Sequence, residues 1–268
     1  MKVVFVNGNP ENAAVWDLLC DELRGTDAVR LSPPGFGAPV PEGFGCAVAE
    51  YRDWLIGRLE AIGEPVHLVG HDVGGSTVAS VAMKRPDLLR SWVSDSLGVF
   101  HPDYVWHDLA QQWQTPGVGE ESVARLMGGS LEERAERMTA RGIPRSVALR
   151  MAPAQGPEMG RAILAFYRSA AQPVMAELGR DLADAVKRPG LAIIGTDDRF
   201  VGSEAMRRES AARAGAETAV LRDIGHWWMV QDPARSARVL TSFWAGCGQA
   251  DSRRVAPGPA VRGRSKSA

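Results

Sequence analysis

The chain has 268 residues, of which 45% are hydrophobic and 24% charged, and a formal net charge of -1. This length suits one large α/β domain or a domain with a lid, and the composition is that of an ordinary soluble globular protein. A near-neutral charge offers no electrostatic basis for a nucleic-acid or acidic-membrane partner. The three scattered cysteines, Cys20, Cys46 and Cys247, form neither a disulfide framework nor a metal-ligand spacing. No metal or cofactor is therefore expected, and a reducing cytoplasm is the expected compartment.

In chain order, residues 3–6 form an apolar run that stops at Asn7-Gly8. It is too short for a signal peptide and reads as a first strand. A helix is predicted over 15–23 and a short strand over 28–31, ended by the rigid turn Pro33-Pro34-Gly35. An amphipathic helix follows over 47–62. Pro65-Val66-His67-Leu68-Val69 reads as a buried strand, and Gly70-His71-Asp72-Val73-Gly74-Gly75 as a tight turn. Residues 76–83 then read as a helix that Pro86 stops, and 91–94 as the next strand. Strands alternating with helices predict an α/β fold, a mainly parallel sheet with helices on both faces.

The rhythm breaks from 101 to 186, where helices are predicted over 104–113, 121–127, 131–141, 145–151, 159–171 and 174–186. This stretch reads as a helical cap inserted over the sheet. Strands resume at 191–194 and 218–221, and Pro233 opens a last helix to 244. The expected organisation is a core of 1–100 and 187–246, a cap of 101–186, and a tail of 249–268. The tail is polar and rich in Pro, Gly and Arg, and is expected to be disordered. No apolar run approaches the length of a membrane span.

A strand, a glycine turn and a helix are the setting of a nucleophile elbow, which holds one side chain exposed on a strained turn. The residue at its apex is Asp72. A carboxylate is already ionised at neutral pH and needs no base to activate it. It can displace a leaving group from a saturated carbon and form an alkyl ester. Asp198, in Gly195-Thr196-Asp197-Asp198, and His226, in Gly225-His226, each follow a strand and complete the order nucleophile, acid, His. Loops beyond the carboxyl ends of parallel strands converge. Asp197 and Asp95 stay open as alternative acids, and His67 and His71 read as structural. Asn7-Gly8-Asn9-Pro10 follows the first strand. Backbone N–H groups of Asn9 there and of Val73 would make a two-donor oxyanion hole.

With these motifs the chain resembles the α/β-hydrolases of the epoxide hydrolase and haloalkane dehalogenase group. Gly-His-Asp-x-Gly is that group's elbow, and Gly-x-x-Asp and Gly-His supply its acid and base. The resemblance spans residues 1–244, with two departures. The loop after the first strand begins with Asn7 where the group has His, and no hairpin precedes that strand. The resemblance implies a hydrolase whose partners are a small apolar organic substrate and water. Its epoxide branch implies two cap tyrosines that donate to the epoxide oxygen. Tyr167 and Tyr104 fall in the cap, so opening of an epoxide to a diol is the expected activity. The alternative is haloalkane dehalogenation, with the Asn9 amide facing the halide. The Trp which that branch places after the nucleophile is Val73 here, leaving Trp106 and Trp113 as indoles for a substrate or halide pocket. An ester or lactone hydrolase and a non-catalytic binding protein are further alternatives. Asp in place of Ser argues against the first, and a complete triad against the second. Substrate identity and assembly state, a homodimer included, stay open.

Overall fold

Side chains alternate along each strand and sort into two cores, one on either face of a sheet. The protein is described here from a computed structural model, which describes residues 1–255. In β1 (Lys2–Val6), Val4 and Val6 enter one core, and Val3 and Phe5 the other. β2 (Asp27–Leu31) pairs with β1, and in β3 (Val66–Gly70) Leu68 and Val69 again divide between the two cores. β4 (Leu89–Ser94), β5 (Gly190–Gly195) and β6 (Ala216–Leu221) complete six strands in the order β2-β1-β3-β4-β5-β6. Every neighbouring pair is parallel. The chain leaves β1 toward β2 on one side and returns to β3 on the other. The carboxyl ends of β1 and β3 therefore flank the switch point where parallel sheets open a crevice.

Helices cover both faces. α1 (Asp17–Glu22) contributes Leu19 to one core. α2 (Val48–Ile62) and α3 (Val73–Lys84) contribute Tyr51, Leu55, Val78 and Val81 to the other. Between β4 and β5 come α4 (Asp108–Gln114), α5 (Val118–Met127), α6 (Leu131–Thr139), α7 (Arg145–Met151), α8 (Pro157–Ser169) and α9 (Val174–Leu178).

Several expectations shift. The first inserted helix begins at Asp108 rather than at 104, because the His107 ring accepts the Ala110 N–H and caps it. The helix expected over 174–186 splits into α9 and a 3-10 segment, Gly179–Lys187. That segment packs against α3 and buries Leu182 and Ala185 in the core below it. The insertion thus rejoins the core layer before residue 186. α10 (Glu204–Arg213) and α11 (Trp228–Gln231) were not expected. α10 carries charge on most of its turns, which hides its period, and α11 is a single turn. α12 (Pro233–Val255) runs past 244 into the start of the expected tail, and the rest of that tail lies outside the described residues. Among the described residues no helix is long and apolar enough to cross a membrane.

Candidate active site

The turn between β3 and α3 places Asp72 at φ 53° and ψ -120°. A non-glycine residue there is strained by roughly 1–3 kcal/mol and persists only when its surroundings hold it. The Asp72 N–H donates to Asp95 Oδ1 at 2.9 Å, and the Ser96 hydroxyl donates to the Asp72 carbonyl at 2.8 Å. Two glycines make the room. A Cβ on Gly74 would stand 2.3 Å from the Val6 carbonyl oxygen, and one on Gly8 would stand 2.5 Å from the Asp72 Cβ.

Three elements converge on the Asp72 carboxylate. From the loop after β1, Asn9 donates its backbone N–H (3.2 Å) and its side-chain Nδ2 (3.0 Å) to Oδ1. The Val73 N–H at the start of α3 also stabilises the charged form. From the loop after β6, His226 Nε2 lies 3.4 Å from Oδ2, and its Nδ1 lies 2.9 Å from Asp198 Oδ2. The other Asp198 oxygen accepts the Phe200 N–H at 2.8 Å. Of the three acids left open by the sequence, Asp198 faces His226. Asp197 is exposed, and Asp95 pairs with His71 instead.

Burial alone would raise the Asp72 carboxyl, but its hydrogen bond to His226 and the charges of His226 and His71 hold it well below the carboxylate range. Burial would likewise lower His226, yet Asp198 and Asp72 outweigh it and raise the imidazole well above its ordinary value. Asp72 and His226 thus rest as a buried ion pair. Oδ1 sits among fixed donors, while Oδ2 faces the imidazole.

The expected cap residues separate. Tyr167, on α8, is buried, and its hydroxyl accepts Asn9 Nδ2 at 2.9 Å. No acceptor among the described residues takes its proton. Burial pushes the phenol well above its ordinary value, so it keeps that proton. Tyr104 stands apart: its hydroxyl donates to the Phe200 carbonyl at 2.6 Å, and it does not line the cavity beside Asp72. Trp106 and Trp113 clasp the Tyr167 ring, with centroids at 5.1 and 4.7 Å. The Trp106 indole N–H is committed to the Ala170 carbonyl at 3.1 Å. Trp113 lines the cavity, and its buried N–H has no partner among the described residues.

Two residues not singled out by sequence complete the site. His107 lines the cavity. Because its Nδ1 accepts the Ala110 N–H, the neutral ring carries its proton on Nε2. Burial lowers this imidazole to about 4, so it is neutral at physiological pH. Glu11 is fully buried. It accepts the Gly8 N–H (3.1 Å) and the Trp227 indole N–H (2.7 Å), and one of its oxygens lies 3.6 Å from His71 Nε2. His71 Nδ1 meets Asp95 at 2.5 Å, and Asp95 also accepts the Trp228 indole N–H at 2.6 Å. Glu11, His71 and Asp95 therefore tie the loop after β1, the turn at Asp72 and the His226 loop together. His71 lies 4.5 Å, ring to ring, from His226.

A six-stranded parallel sheet carrying this constellation at its carboxyl edge defines an α/β-hydrolase. The chain belongs to the alpha/beta hydrolase family, whose model it matches over residues 3–239. Among solved structures it is similar to the haloalkane dehalogenase DbeA from Bradyrhizobium elkani USDA94, with 22% identity over 93% of this chain and 91% of that one and a TM-score of 0.70. It is also similar to E-2-(acetamidomethylene)succinate hydrolase, at 19% identity over 91% and 92% of the two chains and a TM-score of 0.70. A thermophilic esterase from Thermogutta terrifontis has 21% identity over 92% and 90% and a TM-score of 0.69. At such identities the likeness is one of fold. No curated protein sequence matches the chain significantly.

Proposed function

We propose that the protein hydrolyses an epoxide to a diol through an ester on Asp72. The observation that carries this reading is the phenol of Tyr167. It is buried against the oxyanion loop, its oxygen is held by Asn9, and its proton is uncommitted. Asp72 Oδ2 attacks a ring carbon, the C–O bond breaks, and its electron pair stays on the ring oxygen. Tyr167 gives that oxygen its proton, and His226, protonated at rest, restores the phenol. His107, whose neutral ring carries its proton on Nε2, lines the same cavity.

Ester formation removes the Asp72 charge, one of the carboxylates that hold the proton on His226. The neutral imidazole left behind then takes a proton from water, whose oxygen attacks the ester carbonyl carbon. The resulting oxyanion lies among the donors of Asn9 and Val73. Collapse breaks the bond between the ester carbonyl carbon and the leaving oxygen, which takes the proton of the newly added hydroxyl. The diol leaves and the Asp72–His226 ion pair is restored, with Asp198 orienting the imidazole and stabilising its charge.

Haloalkane dehalogenation is the second reading, and the indole N–H of Trp113, without a partner among the described residues, favours it. Against it, the Asn9 amide already serves Asp72 and Tyr167, and Trp106 serves Ala170. A panel of epoxides and haloalkanes assayed for diol and for halide separates the two. With a substrate that is turned over, His226→Gln should accumulate the whole substrate mass on Asp72. A stalled variant with no added mass would place His226 before the covalent step, as in a Ser-type hydrolase.

A further inference from the structure

The cavity at Asp72 has an apolar body formed by Pro10, Leu109, Leu126, Phe200 and Trp227, and a volume of about 60 Å³. Its wall also includes Arg141, the one full cation there besides His226. Arg141 lies in the turn after α6. Three arginines fall on this stretch, and their fates differ. Arg134 donates to the Gly129, Ala152 and Gln155 carbonyls, and Arg137 to those of Leu126 and Gly128. Arg141 is half-buried, yet its guanidinium makes no hydrogen bond or ion pair among the described residues. Its charged neighbour is another cation, Arg137. A guanidinium has five donors and stays charged. Partial burial without an anion costs it some of its solvation, and a planar carboxylate is its best-matched partner.

We infer that Arg141 is the anchor for an anionic group, and that the substrate is a short organic acid whose carboxylate meets Arg141 while its reacting carbon meets Asp72 in the same cavity. The inference rests on the reading that this cavity is the reaction site. It adds a charged end to the apolar body that the lining alone implies.

Binding and turnover test this separately. Butyrate and butyramide are equal in size and do not react, so their affinities for the full chain can be measured by calorimetry. Butyrate should bind at least about tenfold more tightly than butyramide, the size of a hydrogen bond to a charged group. Arg141→Met should abolish that preference, and Arg141→Lys should keep part of it. Added salt should weaken butyrate more than butyramide. Equal affinities in the parent, or a preference that survives Arg141→Met with an unchanged melting temperature, would overturn the inference. Should Arg141→Met fail to fold, Arg141→Lys decides: a full parental preference contradicts a bidentate anchor.

The kinetic arm compares 3,4-epoxybutanoate with its amide. A higher kcat/KM for the acid, with a ratio that collapses in Arg141→Met, is expected. An Arg141-dependent preference for butyrate with no diol from either epoxide would sink ring opening and leave the anion site standing. Diol from both at equal kcat/KM, with no butyrate preference, would do the reverse.

Discussion

One proton circulates among the side chains of the proposed cycle. Tyr167 gives it to the opened ring, His226 replaces it, and water returns it to His226. The phenol is the specific element, because Asp72 and His226 would serve either epoxides or haloalkanes. Tyr167→Phe should therefore slow ester formation about tenfold or more, positioned acid catalysis contributing roughly 10²–10⁴-fold. Rapid-quench measurement of the Asp72 adduct reads this directly, and a parental rate would take the donor's role from Tyr167. At this scale the sequence was informative where a residue lies in the short loop after a strand, as Asn9, Asp72, Asp198 and His226 do. It was uninformative where a role depends on packing across the cap. Tyr104 has the right residue type in the right region, but its hydroxyl is taken by Phe200. His107 becomes a donor only because α4 begins one residue later and fixes its tautomer. Nothing in the spacing of Arg134, Arg137 and Arg141 tells which of them lacks a partner.

Three loops from separate strands must hold their places within a fraction of an ångström, and the Glu11–His71–Asp95 network joins them. Each carboxylate bridges two loops: Glu11 accepts from Gly8 and Trp227, and Asp95 from Asp72 and Trp228. His71, fully buried between them, supplies the compensating charge. Removing it leaves two buried carboxylates without a cation, and breaking such pairs destabilises by about 3–5 kcal/mol. His71→Gln should show a loss of this size in urea unfolding at neutral pH. A loss under about 1 kcal/mol, the range of ordinary substitutions, would mean that the network does not rest as an ion cluster. His71 reads as structural from its place beside the elbow, and its contacts are with the loops rather than the cavity. Glu11 was missed because an acid after Asn9-Pro10 looks like a surface loop residue until the fold buries it. Element boundaries were legible for the strands, whose apolar runs are short and bounded by turns. They failed at α10, where Glu204, Arg207, Arg208 and Glu209 mask the helical period, and at the 179–187 segment, which is 3-10 rather than α.

Across the molecule, the all-parallel sheet follows from the alternation of strands and helices, because each crossover returns the chain to the same edge. That edge collects the charges, and their linkage sets the pH range of stability. Burial opposes the charge on His71, but Asp95 and Glu11 prevail and raise it from 6.5 to about 10. A folded-state value above the unfolded one gives stability that is complete below 6.5 and lost as pH rises toward about 10. The lowered carboxyls of Asp72 and Asp198 act in the opposite sense: their contribution is present above 3.8 and lost as pH falls below it. The urea midpoint should thus be highest between these limits and decline from pH 6.5 to 10, with a shallower decline in His71→Gln. A midpoint that stays flat over that alkaline range would contradict the charged network.

The identity of the attacking atom is tested most directly by a single turnover in heavy-oxygen water, with enzyme in excess over an epoxide that the panel shows to be turned over. If Asp72 Oδ2 attacks carbon, the new oxygen of the first diol comes from the protein, and heavy oxygen enters the Asp72 carboxylate instead. The expected first-turnover diol is unlabelled, and peptide mapping should find the label on Asp72. Heavy oxygen appearing directly in the first diol, with Asp72 unlabelled, would mean that water attacks the substrate and that no alkyl ester forms.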